Sequence, residues 1–238
     1  MEHPGIPIHS SIVAVDVERF SDAHRNDAVQ LRIRAALYGM LGGAFGAANV
    51  SLEKCVREDR GDGAIIIVPA VIPKVLLLHP LLQWLAFALD EHNRQADLAE
   101  HFRLRFALHD GAVLRDEHGY AGDAVILACR LLDSAELKEA LRNSAGNLAV
   151  IVSDRVYQDT VRPGYRDLDP ATYHPVEVTV KTTHAKAWIH LPGSAQPPVI
   201  SRPAESPVPA EDSATVHIEG TASGPRSTGV RIGRLDIR

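Results

Sequence analysis

Residues 59–63, Asp59-Arg60-Gly61-Asp62-Gly63, separate two strand-like segments, 52–57 and the apolar 64–68, by a turn so short and glycine-rich that the whole reads as a β-hairpin. The turn carries an acid at its tip, Asp62. A second strand, Ile12-Val13-Ala14-Val15-Asp16, is a β-branched run that also ends in an acid, the pattern of a buried central strand presenting its C-terminal end to a site. Two such carboxylates can converge on a divalent cation, because Mg²⁺ takes one or two carboxylates and completes its shell with phosphate oxygens and water. Periodicity alone equally allows Asp62 as a plain turn residue and Asp16 as a strand terminator.

Apolar spacing predicts a helix over 22–41 that closes in Gly42-Gly43-Ala44, a helix over 79–96 and an alternating strand over 102–109. A Gly- and Asp-rich turn follows over 109–122, then a helix through Arg130 to residue 141, a strand over 148–152 and a short helix over 154–160. A hairpin pairing 176–181 with 187–191 completes the pattern. Helices alternating with a hairpin-containing sheet give an α+β sandwich with a mixed or antiparallel sheet, not a doubly wound parallel one.

A chain of 238 residues has room for one ordinary domain and an appendage. After Gly193 the composition changes, so the reading is a domain over 1–193, a Pro-rich linker over 194–213 and a Gly/Ser/Thr-rich interaction tail over 214–238. A net charge of -5 argues against coating nucleic acid or an anionic membrane through charge. Apolar stretches at 64–75 and 76–89 are interrupted by Pro73, His79, Pro80 and Gln83, which excludes a continuous helical span. With only Cys55 and Cys129, no disulfide framework is expected, and the setting reads as reducing and cytoplasmic. The histidines show no zinc spacing, and no phosphate loop or nucleophile elbow is present.

Four segments in order carry a family likeness: "VAVDVERFSD", "EDRGDGAIIIVP", "RLRFALHDG" and "GDAVILACRLLDSA". Together they resemble the Asp-x-x-x-Phe-Ser/Thr, Gly-Asp hairpin, Arg-(x)-Gly/Ala-x-His-x-Gly and Gly-x-x-Val-Asn-x-Ala-x-Arg motifs of class III adenylate/guanylate cyclase catalytic domains, over most of residues 10–193. The resemblance implies a ferredoxin-like cyclase fold and a homodimer with composite sites. Asp16 and Asp62 would hold two Mg²⁺ or Mn²⁺ ions over a nucleoside triphosphate, with the backbone carbonyl of Val17 assisting. Arg130 from the partner subunit would steady the triphosphate as the ribose 3′-hydroxyl attacks the α-phosphorus, chemistry of positioning and electrostatics. Phe20, Ser21, Gly61 and Asp123 fall in the same motifs and are expected around the nucleotide.

Three positions depart from the family pattern. The Asn expected four residues before Arg130 is Ile126, which neither donates nor accepts a hydrogen bond. Losing one such positioned contact costs about 10²–10³ in rate. The Lys expected at the base edge is Glu58, and the Asp or Thr expected near it falls at Gly119. Adenine or guanine selection therefore does not carry over, and a pyrimidine nucleotide becomes an option, as in bacterial cyclases of phage defence. Lys181 stands where the family often keeps a phosphate-facing lysine, although an exposed strand lysine is the plainer reading. His109 beside Asp110-Gly111 is expected to shape a turn.

In the tail, "RSTGVRIGRL" resembles the RIP homotypic interaction motif and its bacterial amyloid-signalling relatives, with Arg231 in place of the core Gln. The leading expectation is a metal-dependent nucleotide cyclase in bacterial defence or stress signalling. The alternative is a degenerate cyclase-like module that senses nucleotide or dimerises and signals through its tail.

Overall fold

The computed structural model describes residues 5–194 and 196–200. The strands are β1 (Ile8–Val17), β2 (Val56–Asp59), β3 (Gly63–Pro69), β4 (Leu104–Asp116), β5 (Gly119–Ala121), β6 (Leu148–Ser153), β7 (His174–Val180) and β8 (Thr183–His190). The helices are α1 (Asp27–Ala47), α2 (Val75–Leu78), α3 (Leu81–Gln95), α4 (Asp123–Leu132), α5 (Ala135–Asn143) and α6 (Asp154–Val156). The strands form one sheet in the order β2-β3-β1-β4-β6-β8-β7, with β5 pairing on β4. Only β4 and β6 run parallel; the other pairings are antiparallel. This is the α+β class read from the sequence.

β1 reads as an unbroken apolar run because both of its faces are covered. Val13, Val15 and Val17 join Leu104, Phe106 and Leu108 in the core beneath α1 and α3. Ile12 and Ala14 join Ile65, Ile67, Ala107 and Ala149 beneath α4 and α5. Asp16 follows the second set by the period of two, so its side chain emerges on the α4/α5 face.

Several predicted boundaries moved. The helix expected over 22–41 starts at Asp27, where the Asn26 side chain accepts from the Val29 amide at 3.0 Å, and it passes through Gly42-Gly43 to Ala47. Gly43 is a packing site rather than a stop: a Cβ there would lie 2.0 Å from the Trp84 ring, so its absence lets α3 approach α1. The segment 109–116 is strand, not turn, because the start of β1 pairs with it, Ile8 opposite Val113. The single helix expected through Arg130 to residue 141 breaks at Ser134, whose hydroxyl caps α5. The β7–β8 hairpin closes in two residues, Lys181 and Thr182, so Lys181 sits in the turn with a left-handed φ of 54° instead of in a strand.

Val199 of the Pro-rich stretch accepts a hydrogen bond from the Asn143 side chain at 2.8 Å, and Ile200 packs against the α4/α5 core. The interaction motif read at 214–238 lies outside the described residues. Among the described residues no helix is long and apolar enough to cross a membrane.

Gly63 begins β3 opposite Asp16, where a Cβ would lie 2.0 Å from the Val15 carbonyl oxygen and 2.8 Å from the Asp16 Cα. Backbone cannot yield as a side chain can. Gly63→Ala is expected to cost at least about 3 kcal/mol, the upper range of overpacking penalties, read as a lowered denaturation midpoint.

Candidate active site

Pairing in the sheet brings the two acids together. Asp16 pairs with Gly63, and the Val17 amide donates to the Asp62 carbonyl at 2.9 Å, which lays the hairpin tip against the end of β1. The Asp62 carboxylate is exposed and has no hydrogen-bond partner among the described residues. Asp16 is mostly buried and fully engaged: Arg105, directly opposite on β4, donates Nε to Oδ1 at 2.7 Å and Nη2 to Oδ2 at 2.8 Å. Burial pushes the Asp16 carboxyl up against the opposing pull of Arg105, Asp62 adds repulsion, and the group stays above its ordinary value.

A second set of residues, unnoticed in the sequence, fixes the turn that bears Asp62. Asp59 accepts from Arg34 Nη1 at 3.1 Å, from the Tyr38 hydroxyl at 2.9 Å and from the Gly61 amide at 2.8 Å, and Arg34 also donates to the Gly61 carbonyl. The Arg34 bond, with the Gly61 and Tyr38 bonds, holds the Asp59 carboxyl well below the usual carboxylate range. Arg34 and Tyr38 lie one turn apart on α1, so the helix clamps the hairpin from one side.

The loop after β1 is clamped in the same way. Arg19 turns the chain with a left-handed φ of 53°, and Arg25 donates to the carbonyls of Arg19 at 2.8 Å, Glu18 at 3.2 Å and His101 at 2.8 Å. Phe20 packs on the α1/α3 core while Ser21 is exposed. Arg103 donates to Glu18 at 2.7 and 2.8 Å. A cleft of about 530 Å³ opens beside this loop, lined by Glu18, Arg19, Arg25, His101 and Arg103 among others, but neither Asp16 nor Asp62 lines it.

Glu58 and Gly119, far apart in sequence, meet. Glu58 Oε1 accepts from the Tyr120 amide at 3.1 Å and would lie 2.6 Å from a Cβ on Gly119, so the glycine vacates the space that the carboxylate fills. Arg60 Nη2 stands 3.4 Å from the other oxygen.

On α4, Ile126 is 46% exposed and Arg130, one turn on, donates to the Thr183 hydroxyl beside the Lys181 turn. Arg130 thus sits beside the Lys181 turn, and Lys138, which bonds Asp133 one turn further along the chain, adds positive charge near Asp16. Asp123 begins α4 and lines a separate cleft of about 570 Å³ with His109, Asp110 and Arg155.

At that cleft His109 is a strand residue, its Nδ1 2.8 Å from the Ser153 hydroxyl. Asp110 is buried, and its Oδ2 lies 2.9 Å from His9, 3.0 Å from Lys74 and 3.3 Å from Arg155. Burial pushes this carboxyl up, but the Lys74 and His9 bonds and the surrounding positive charge outweigh it and hold it below its usual range. A carboxyl depressed by folding adds stability above its unfolded value, about 3.9, and loses it as pH falls through the folded value. Asp110→Asn, which removes the charge from this buried cluster, is expected to cost about 3–5 kcal/mol near neutral pH. Urea titrations over a pH series should show the difference from wild type shrinking below about pH 4.

Comparison with solved structures places this architecture. The chain matches an adenylate/guanylate cyclase/hydrolase from Silicibacter pomeroyi at a TM-score of 0.58 and 19% identity, covering 79% of this chain and 98% of that one. It matches a bacterial light-regulated adenylyl cyclase at 0.53 and 12%, covering 77% and 90%. The guanylate cyclase domain of RhGC from Catenaria anguillulae, solved with GTP, matches at 0.51 and 15%, covering 76% and 95%. The chain has the fold of adenylate/guanylate cyclase domains. No family model matches the sequence, and neither does any curated protein.

The donor set suits a divalent ion carried by a nucleotide. Asp16 and Asp62 supply hard oxygens from adjoining backbone positions, and among the described residues no group of three or more His, Cys, Asp or Glu forms an all-protein cage. Mg²⁺ sites of the kind that use one or two carboxylates and borrow the remaining oxygens from substrate phosphates and water fit this arrangement.

Proposed function

We propose that this protein is a metal-dependent nucleotide cyclase acting as a homodimer with composite sites, converting a nucleoside triphosphate to a 3′,5′-cyclic nucleotide and pyrophosphate. The observation that carries the reading is the meeting of Asp16 and Asp62 at the end of β1 on a cyclase fold. In the dimer of this reading a second copy, turned end for end, brings Arg130 of the partner subunit to the triphosphate.

In this reading the 3′-oxygen forms a bond to the α-phosphorus, the α–β bridging bond breaks, and pyrophosphate leaves as the hydroxyl proton is released. Two divalent ions, Mg²⁺ or Mn²⁺, would supply Lewis acidity at the hydroxyl and neutralise the leaving phosphates. Asp16 and Asp62 anchor this end of the nucleotide, held in place by the Val17–Asp62 bond and the Arg34–Asp59–Tyr38 clamp. Arg130 of the partner subunit faces charge that develops on the phosphates.

Glu58 sets the base. A carboxylate only accepts, so it favours a base edge that donates, such as the exocyclic amino group of cytosine or adenine or the adjacent N1–H and 2-amino group of guanine. Glu58→Lys is expected to lower kcat/KM for the preferred triphosphate by about 10–10²-fold, matching 1–3 kcal/mol of base discrimination. The product would then be a signal, with residues 214–238 as a homotypic contact to a partner in stress or antiviral signalling.

One observation favours a second reading. Ile126 exposes an alkyl group where the family places a polar contact, which suits a nucleotide-sensing dimer without turnover. Incubation with each of the four nucleoside triphosphates and Mn²⁺ or Mg²⁺, with products read by mass spectrometry, separates the two. A cyclic product supports the enzyme; nucleotide binding without any cyclic product supports the sensor.

A further inference from the structure

The Asp16 carboxylate already has a cation. Arg105 meets it fork to fork, at 2.7 and 2.8 Å, with side chains only 13% and 18% exposed. Paired guanidinium and carboxylate in this geometry is the strongest arrangement the two groups make. The sheet enforces it, because the residues are direct partners in the β1–β4 ladder. Glu18, two residues on, does not draw Arg105 aside, because Arg103 already holds it through two hydrogen bonds of 2.8 and 2.7 Å. A divalent ion reaching Asp16 thus meets a fixed positive charge on the same two oxygens.

A ligand bearing its own negative charge changes the balance. Triphosphate oxygens offer the guanidinium a substitute for the carboxylate, since Arg binds phosphate with the same bidentate fork. They also bring the ion with them. We infer that Arg105 is a resident competitor for the metal at Asp16, so that the free protein binds divalent ions weakly and the ion enters together with a nucleoside triphosphate whose phosphates take over the guanidinium. Arg105 on this account couples metal entry to substrate by exchanging the Asp16 carboxylate for phosphate, and the inference rests on the metal site proposed above.

Calorimetric titration of the full chain with Mn²⁺ alone, and with Mn²⁺ plus a non-hydrolysable triphosphate of each base, tests it. Arg105→Met is expected to bind Mn²⁺ alone at least about tenfold more tightly than wild type, since a positive charge a few ångströms from a divalent ion opposes binding to that degree even when solvated. With the triphosphate present, wild type should gain affinity for Mn²⁺ far more than Arg105→Met does. Arg105→Lys, which keeps the charge but loses the fork, should fall between them. Because Arg105→Met leaves a partly buried carboxylate unpaired, thermal unfolding is followed in parallel; Mn²⁺ should raise its midpoint more than that of wild type. Equal or weaker Mn²⁺ binding by Arg105→Met, where Asp62→Asn abolishes binding of the Mn²⁺–nucleotide pair, would overturn the competitor role and leave the metal site standing. No Mn²⁺ binding by any variant, with or without nucleotide, would overturn the metal site and the competitor with it.

Discussion

Replacing Asp62 with Asn is expected to lower cyclic-nucleotide formation at least about 10³-fold, because a metal's stabilisation of transition-state charge amounts to several kcal/mol and each 1.36 kcal/mol is tenfold in rate. The same substitution should change stability by no more than about 0.5 kcal/mol, the usual range for a surface position. The two readouts separate because the Asp62 carboxylate is exposed and without a hydrogen-bond partner among the described residues, while the backbone carbonyl that takes the Val17 amide is untouched. Asp16 cannot be tested so cleanly. Its removal strands Arg105 in a mostly buried position, so loss of activity and loss of stability arrive together.

Arg130→Ala is expected to reduce kcat and kcat/KM together by about 10²–10³, the signature of an interaction made mainly in the transition state. In its own chain Arg130 bonds only the Thr183 hydroxyl among the contacts described, beside the β7–β8 turn, and that contact is too peripheral to carry such an effect. A parallel rise in KM with unchanged kcat would instead assign Arg130 to uniform binding of the triphosphate.

The parts of the site that were legible in the sequence are those written locally. A β-branched run ending in Asp16 and a glycine turn holding Asp62 each declare their conformation within a few residues. Arg105 lies within the third family motif, and its pairing with Asp16 left a signal in the sequence. Glu18 follows Asp16 by two, one residue past β1, and Arg103 precedes Arg105 by two, one residue before β4, so one antiparallel register carried a step further pairs both sets of opposite charges. Reading it required knowing that β1 and β4 are neighbours, which is tertiary information.

The boundaries that moved have similar causes. Gly42-Gly43 signals a helix end by local preference, but the Trp84 ring needs the space and packing overrode propensity. The Lys181–Thr182 turn contains no glycine, asparagine or proline, so nothing marked so tight a hairpin. By contrast, Asp133-Ser134 before Ala135-Glu136-Leu137 is a readable cap that the continuing apolar period obscured. The clamp of Arg34 and Tyr38 on Asp59 is long-range and left no sequence pattern beyond polar residues one turn apart on α1.

The measurement that bears most directly on the composite cyclase is subunit complementation. Asp62→Asn and Arg130→Ala, each inactive alone, are dissociated, mixed in equal amounts and reassociated before assay with the preferred triphosphate and Mn²⁺. If each site takes its metal pair from one copy and its arginine from the other, half of the dimers are mixed and each carries one intact site. The mixture should then recover about a quarter of wild-type turnover, the value that two-fold symmetry and random pairing require. A mixture that stays as inactive as its parents would contradict the composite site and place Asp62 and Arg130 in the chemistry of a single chain or of none.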